Sequence, residues 1–471
     1  MPLAVDQISL PNQFLDQSKV CVIRKKLHAL FSQGFVKSVG VLVGGTAFGQ
    51  ALMVLVLPLL TRLYTPADFS LVAVYTSVLG IVAVAACLRL EIAIPLPLRD
   101  EDAINLLALA LCCSAGVAVL SGIIVGLLPD QIVGLIKQPN LQPYLWLLPL
   151  GIWFSSSYAA LQFWMIRKKN FSVIAKTRMT QAVGSAGIQA GLGWIGIAPL
   201  GLLLGQMINS GAGIFGLAQN VLRNNSISLR SVNWQSMKRL LFEYKRFPKY
   251  SIFESLANSI NTQLPIIIIA ALAAGPEAGF FMLGSRLMHA PMALIGGAVA
   301  QVYLSQAPEE LRKGTLGKFS AHIIGGLMKA GVGPLIFACI VAPVAVPLVF
   351  GDQWQRAGDL ITWMGPWFIM EFLVSPISMA LHVTHSQQAA LILQILGLVM
   401  RVGLTAAAGY WAHSWIVEAY AVSSFCFYFV YFCVVASITK IKILDLFAAF
   451  KSYRKFFIFW ILLAIFFRVV I

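Results

Sequence analysis

Charge is scarce in this chain of 471 residues: Asp and Glu together number 18, and charged residues of both signs make up 11% of it. A soluble domain carries roughly 25% charged residues, and a chain this long normally folds as two or three such domains. The charge present cannot cover even one water-facing surface, which excludes a soluble enzyme. Cysteine spacing excludes more. Seven cysteines occur with no Cys-x-x-Cys pair and no Cys/His cluster, so neither zinc nor a disulfide framework is supported. Six of them (Cys87, Cys112, Cys113, Cys339, Cys426 and Cys433) lie in apolar stretches and read as small buried hydrophobes. There is no Walker motif, hence no usual route to ATP hydrolysis. Two Gly-x-Gly-x-x-Gly matches, at 191–196 and 211–216, follow no strand of a βαβ unit and read as close-packing faces. No cofactor or metal is therefore expected. The N-terminus also lacks the short apolar core and small-residue cleavage site of a signal peptide.

What the chain has in abundance is apolar sequence: 59% of it is hydrophobic and the mean hydropathy is +0.83. A hydrocarbon core of about 30 Å needs roughly 20 apolar residues per helix. Such stretches recur near 38–60, 69–88, 104–127, 143–165, 175–195, 198–221, 251–273, 278–304, 322–349, 359–381, 387–409 and 414–438. A thirteenth, 456–471, is sixteen residues long with Arg468 inside it, and reads either as a short span or as an interfacial helix. Residues 1–35 form a polar, then basic extension, in which Val20, Ile23, Leu27 and Leu30 are spaced for an amphipathic surface helix.

The net charge of +16 could mean nucleic acid on a soluble chain. The positions of the basic residues decide otherwise. With the N-terminus inside, 28 Lys and Arg fall at inner breaks and only Arg62, Lys137 and Arg356 at outer ones. That asymmetry is the positive-inside rule of a multi-pass protein with a cytoplasmic N-terminus, so no nucleic-acid partner is expected. The longest break, the basic linker 222–250, divides the twelve spans into a first lobe, 36–221, and a second, 251–438, followed by a basic and apolar tail, 439–471. The lobes echo each other. Span one ends in Pro58-Leu-Leu-Thr-Arg-Leu-Tyr-Thr-Pro-Ala-Asp-Phe69, and span seven in Ala270-Ala-Leu-Ala-Ala-Gly-Pro-Glu-Ala-Gly-Phe280. Each has an apolar helix, a Pro-plus-acid turn and an aromatic opening the next helix. Two parallel six-helix repeats make an all-α transporter architecture.

Four stretches carry a resemblance. They are Gly44-Gly-Thr-Ala-Phe-Gly49 with the 58–69 turn; Leu88-Arg-Leu-Glu-Ile-Ala-Ile-Pro-Leu-Pro97; Tyr244-Lys-Arg-Phe-Pro-Lys-Tyr-Ser251 leading into Gln263-Leu-Pro265; and Arg286-Leu-Met-His-Ala-Pro-Met-Ala-Leu-Ile-Gly296 with Ala300-Gln-Val-Tyr303. In their order and spacing, across 38–440, the chain resembles the polysaccharide (O-antigen and related) flippases of the multidrug/oligosaccharidyl-lipid/polysaccharide exporter superfamily. The resemblance implies a V-shaped two-lobed bundle around a central cavity. It implies a cargo, an undecaprenyl-diphosphate-linked oligosaccharide moved from the cytoplasmic to the periplasmic leaflet of the bacterial inner membrane. A polysaccharide polymerase and a chain-length regulator are then candidate partners, alongside the membrane lipids. Lipid II flippases of the superfamily carry arginines in their first helix; here that helix is uncharged until Arg62, which argues against lipid II.

A polyprenyl-diphosphate glycan demands cationic donors for its diphosphate and a wet polar cavity for its sugars. Arg286 lies well inside span eight, where a charge costs roughly 2.5–3.5 kcal/mol on insertion scales. It reads as a diphosphate ligand facing a cavity or as a structural Arg held by a carbonyl or acid. His289, one turn on, can share its face or simply pack. Glu371 and Arg401 lie at similar depths in spans ten and eleven. They read as a buried ion pair, or as a coupling acid and a diphosphate ligand. Arg89, beside Glu91 at the inner end of span two, is a substrate contact or an interfacial anchor. Arg62, at the outer end of span one, receives the diphosphate or snorkels to headgroups. The amides Gln50, Gln162, Gln181, Gln189, Gln206, Asn209, Asn258, Asn261, Gln263 and Gln394 fit a sugar cavity better than a greasy drug pocket, and Pro58, Pro265 and Pro291 can kink gating helices.

A multidrug antiporter of the same superfamily is the alternative, although spans one to six hold no acid at mid-membrane. A membrane glycan polymerase or ligase would need a large outer loop that the chain lacks. Cysteine labelling in intact and permeabilised cells should place 222–250 and 440–455 in the cytoplasm, and 61–68, 274–277 and 350–358 outside. Outside labelling of 222–250 would reverse the whole arrangement.

Overall fold

The computed structural model describes residues 40–41, 43–224, 231–273, 275–384 and 386–470; the surface helix expected at 20–30 lies outside them. Each stretch read as a span lies on a helix. In the first half these are α1 (Val43–Leu63), α2 (Pro66–Ala86), α3 (Asp100–Leu127), α4 (Leu147–Arg167), α5 (Phe171–Trp194) and α6 (Leu200–Asn224). In the second they are α7 (Ile252–Leu272), α8 (Glu277–Arg312), α9 (Leu316–Phe350), α10 (Gln355–Val374), α11 (Gln387–Trp411) and α12 (Ile416–Thr439). A last helix, α13, runs Ile443–Val470. No strand occurs among the described residues. The chain is a multi-pass membrane protein.

Local sequence explains the joints. The 58–69 turn is a helix start: Thr65 and Asp68 cap each other reciprocally, and Pro66 occupies the first turn, where a missing N–H costs nothing. The corresponding joint before α8 turns through Gly275, whose φ of +81° suits glycine, and is held instead by ion pairing of Glu277. Among the described residues, nine helices are long and apolar enough to cross a membrane, and α8 makes a tenth if its segments Glu277–Met292 and Ile295–Leu304, bent by 43° just past Pro291, are taken together. The helices α4 and α5 fall outside that set because of residues such as Gln162, Lys176, Arg178 and Gln181.

The repeat is visible in the packing. The pairs α2/α4, α3/α4, α4/α6 and α5/α6 recur six helices later as α8/α10, α9/α10, α10/α12 and α11/α12. The contact of α7 with α11 is matched in the first half by α1 against α5, where Gly45 approaches Ala175 closely. The halves meet where α2 lies against α7 and α8. Their ends remote from the basic loops are tied together. Trp354 Nε1 and Gln353 Nε2 both donate to the Thr61 carbonyl, at 3.1 and 2.8 Å. The two repeat-related aromatics, Phe69 and Phe280, both pack edge-on to Trp354, with ring centroids at 4.8 and 6.0 Å. Gly279 lies so close to the Pro66 carbonyl that a Cβ there would be 2.0 Å from it. Beside this junction Arg356 pairs with Glu277 at 3.1 Å and with Glu418 at 2.7 Å.

At the basic end, the Leu88–Pro97 motif forms a floor under the first six helices. Leu88 and Arg89 both take left-handed backbone conformations, and Arg167 gathers the carbonyls of Pro95 and Pro97 at 3.2 and 2.6 Å. The linker docks on this floor: its helix Trp234–Glu243 packs on α3, with Arg239 paired to Asp102 and Asn105 bonded to Ser231 and Asn233. The tail read as a short span begins earlier than expected. The helix α13 is 28 residues long and runs parallel to α9, Lys440 lying by Gly317 and Trp460 by Gly333. It therefore lies along a spanning helix, not across one. The cysteine reading holds for Cys87 and Cys339, which are buried, whereas Cys112 and Cys433 are exposed on helix faces.

Trp354 is fully buried, and truncating a buried Trp to Ala costs roughly 3–5 kcal/mol. Trp354→Ala should lower the thermal unfolding midpoint of the detergent-solubilised protein substantially. Trp354→Phe, which keeps the ring contacts and loses the indole hydrogen bond, should fall between. Equal midpoints for all three would show that the junction does not hold the halves together.

Candidate functional site: two cavities with unneutralised arginines

Between the halves lies a cavity of about 660 Å³, bounded by α1, α2, α4, α5, α6, α7 and α8. Its polar lining is Thr46, Gln50, Thr76, Gln162, Arg178, Gln206, Asn209, Ser285, Arg286 and His289, with no carboxylate among the lining residues. Arg286 stands nine residues into α8, ~14 Å along the helix, and donates from Nη2 to Gln206 Oε1 at 3.2 Å. A second arginine mirrors it on the first half. Arg178 Nη2 donates to Gln162 Oε1 at 3.0 Å, and its guanidinium lies 4.8 Å from the Tyr158 ring centroid. Each cation thus rests on a neutral amide, which satisfies a donor and leaves the charge uncancelled. The cavity is a cationic, amide-lined chamber.

His289 is at the cavity wall. Its Nδ1 lies 2.9 Å from the Ser285 carbonyl, and its Nε2 is 3.7 Å from Glu371 Oε1. That contact corrects the expected pairing of Glu371 with Arg401: no Glu371–Arg401 contact lies within 4 Å among the described residues. Matching depth is not enough, because the Glu371 carboxylate turns toward α8 while Arg401 turns toward α12. Arg401 sits 4.3 Å from the Phe427 ring centroid and 5.1 Å from that of Tyr428. It lines a separate pocket of about 150 Å³ within the second half. Arg89 is bound to Glu91 at 3.2 Å in the basic-end floor, and is not among the residues lining either cavity. Burial pushes the Glu91 carboxyl above its usual range, against the opposing pull of Arg89. Arg62 is exposed at the far end of α1 and likewise lines neither cavity.

Sequence reasoning missed Arg178. With span five begun at residue 175, Arg178 stood in its first turn and counted among the 28 inner-end cations, yet α5 starts at Phe171 and carries Arg178 two turns inward. The Asn170-Phe171 junction after the basic Arg167–Lys169 run was the available signal. Of the amides, Gln50, Gln162, Gln206 and Asn209 line the central cavity, Asn258, Asn261 and Gln394 line the smaller one, and Gln181, Gln189 and Gln263 line neither. The Gln189 side chain donates from Nε2 to Ser185 Oγ at 3.0 Å, while its backbone carbonyl accepts from Tyr64 Oη at 2.7 Å. Aligning Phe69 with Phe280 puts Tyr75 of the first repeat at the place of Arg286 in the second; Tyr75 instead faces into the first half and donates to the Leu147 carbonyl at 3.2 Å.

The family described as "Polysaccharide biosynthesis protein" matches residues 59–359. A comparison with curated protein sequences finds no match. Among solved structures, the chain is similar to the lipid II flippase MurJ in its inward closed conformation, with a TM-score of 0.65 and 14% identity over 91% of this chain and 97% of that one. It is also similar to an inward-facing multidrug resistance MATE family transporter of the MOP superfamily, with a TM-score of 0.57 and 16% identity over 83% and 96%. A MOP superfamily transporter from Pyrococcus furiosus matches with a TM-score of 0.51 and 14% identity over 86% and 96%. At these identities the likeness concerns the fold: a helical bundle of the MOP-superfamily type.

The geometry makes a sharp contrast between two pairs. Exchanging the charges in Glu371→Arg with Arg401→Glu should recover little of the stability lost in the single variants, because among the described residues the two side chains meet only through Tyr420 and Tyr428. A cycle of His289→Gln and Glu371→Gln should show coupling of roughly 0.5–3 kcal/mol. Thermal unfolding of the purified variants reads both, and rescue in the charge exchange would restore the ion pair that the geometry denies.

Proposed function

Because the chain belongs to the polysaccharide biosynthesis protein family, we propose that it is a secondary transporter that flips an undecaprenyl-diphosphate-linked oligosaccharide across the bacterial inner membrane for surface polysaccharide assembly. The observation that carries this reading is the pair Arg286 and Arg178, on opposite halves of one cavity that no carboxylate lines. A diphosphate brings oxygens that accept bidentate arginine forks, displacing the Gln206 and Gln162 amides. Those freed amides, with Gln50, Asn209 and Thr46, are then available to sugar hydroxyls. The lipid tail stays in the bilayer, so only the polar head needs the chamber.

In this reading the basic ends face the cytoplasm, where the positive-inside rule puts them. The cavity lining reaches Ile174, three residues into α5 from that end, so the head enters from the cytoplasmic side. Release on the other side requires the junction of Thr61 with Gln353 and Trp354 to open, and alternating access then amounts to rocking one repeat against the other. A cationic drug is a poor cargo for a chamber with two arginines and no lining acid.

Complementation of a strain lacking its own flippase tests the reading, with membrane protein levels measured alongside. Arg286→Ala should reduce surface polysaccharide to background with normal protein levels. Arg286→Lys should retain on the order of a tenth of the activity, since losing ~1.4 kcal/mol of binding is tenfold and the charge survives without its fork. Arg178→Ala should impair transport by a similar route. Full complementation by Arg286→Ala would remove the diphosphate role.

A further inference from the structure

The smaller pocket is not part of the central chamber. Arg401 is 4% exposed, yet its Nε and Nη2 have no hydrogen-bond partner. The aromatic faces of Phe427 and Tyr428 steady the guanidinium and the Tyr428 hydroxyl interacts with it, which still leaves Nε and Nη2 open. Glu371 acts on the same Tyr428 as Arg401, but its Oε1 faces His289 at 3.7 Å and no Glu371–Arg401 contact lies within 4 Å among the described residues. A buried cation with open donors calls for an oxyanion.

A second orphan narrows the choice. Asn261 is 2% exposed and donates from Nδ2 to Gln394 Oε1 at 3.1 Å, which leaves its buried Oδ1 without a donor. The pocket therefore offers open donors on Arg401 and an open acceptor on Asn261, so the fitting ligand carries an oxyanion and a hydroxyl together. Its volume of about 150 Å³ lies well below the roughly 300–1,000 Å³ of drug-sized ligand pockets, which suits one small acid and not a glycan. Asn258, Thr262 and Ser375 line the pocket and are exposed, giving the ligand a polar entrance.

We infer that the Arg401 pocket is a second binding site, separate from the central cavity, for a small hydroxylated oxyanion. Two sources supply that chemistry: the carboxylate and hydroxyls of a single sugar acid, and the glycerol phosphate of a lipid headgroup. The inference does not depend on the transport reading, and its test uses no transport.

The experiment is thermal unfolding of the purified full chain in detergent, with glucuronate, glycerol 3-phosphate, glucose or chloride added at matched ionic strength. Glucuronate or glycerol 3-phosphate should raise the midpoint, the more effective of the two identifying the source, while glucose and chloride should not. The rise should vanish in Arg401→Gln and shrink in Asn261→Leu. It should persist in Arg286→Ala, which alters only the central cavity. If Arg401→Gln does not fold, Asn261→Leu decides, an undiminished response counting against the site. No rise above chloride in the wild type, a rise that survives Arg401→Gln, or one abolished by Arg286→Ala would overturn the inference.

Discussion

A cation inside a hydrocarbon layer must find an anion, a ring face, a dipole or water, and this requirement organises the interior of the bundle. Three arginines lie inside the helices around the two cavities, and each meets the requirement differently. Arg286 rests on the Gln206 amide and Arg178 on Gln162 and Tyr158, both at the wall of the central chamber. Arg401 lies over two rings in a pocket of its own. Neutral amides and rings hold a guanidinium in place without cancelling its charge. A carboxylate would cancel it. The chamber consequently keeps positive potential available.

The second organising feature is the asymmetry between the two ends of the bundle. Away from the basic loops the halves are tied by Trp354, which receives the symmetry-related Phe69 and Phe280 and bonds to Thr61. The repeat thus closes on itself at one point, through a residue that belongs to the second repeat only. At the basic end each element is braced within its own half: Arg167 collects carbonyls of the Leu88–Pro97 motif, and the linker helix sits on α3. The halves also meet along α2, where Ser259 of α7 donates to the Gly80 carbonyl at 2.9 Å, so the Trp354 junction closes one end of a longer contact between two separately braced repeats.

Much of this was legible in the chain. Twelve helices were readable because a 30 Å apolar layer demands long hydrophobic runs, and few other folds produce them in series. The internal repeat was readable in the Pro-plus-acid turns before Phe69 and Phe280. Arg286 was readable as a cavity residue because a charge at that depth is too costly to leave in lipid. Gly211 and Gly193 were readable as packing faces, and the structure brings them against Phe154 and Tyr64.

What composition, spacing and charge position determined was therefore the class of molecule, its spans, its repeat and the depth of each charge, all properties that vary along one axis. Only the tertiary structure decided which way the side chains turn around that axis. Glu371 and Arg401 share a depth, yet one faces α8 and the other α12, so the expected pair does not exist. Tyr75 and Arg286 are symmetry mates, yet Tyr75 turns inward to Leu147. Arg178 counted among the inner-end cations until the start of α5 put it in the chamber. Azimuth on a helix depends on which neighbours pack against it, and those contacts join residues on different helices, 72 positions apart for Tyr75 with Leu147 and 80 for Arg286 with Gln206.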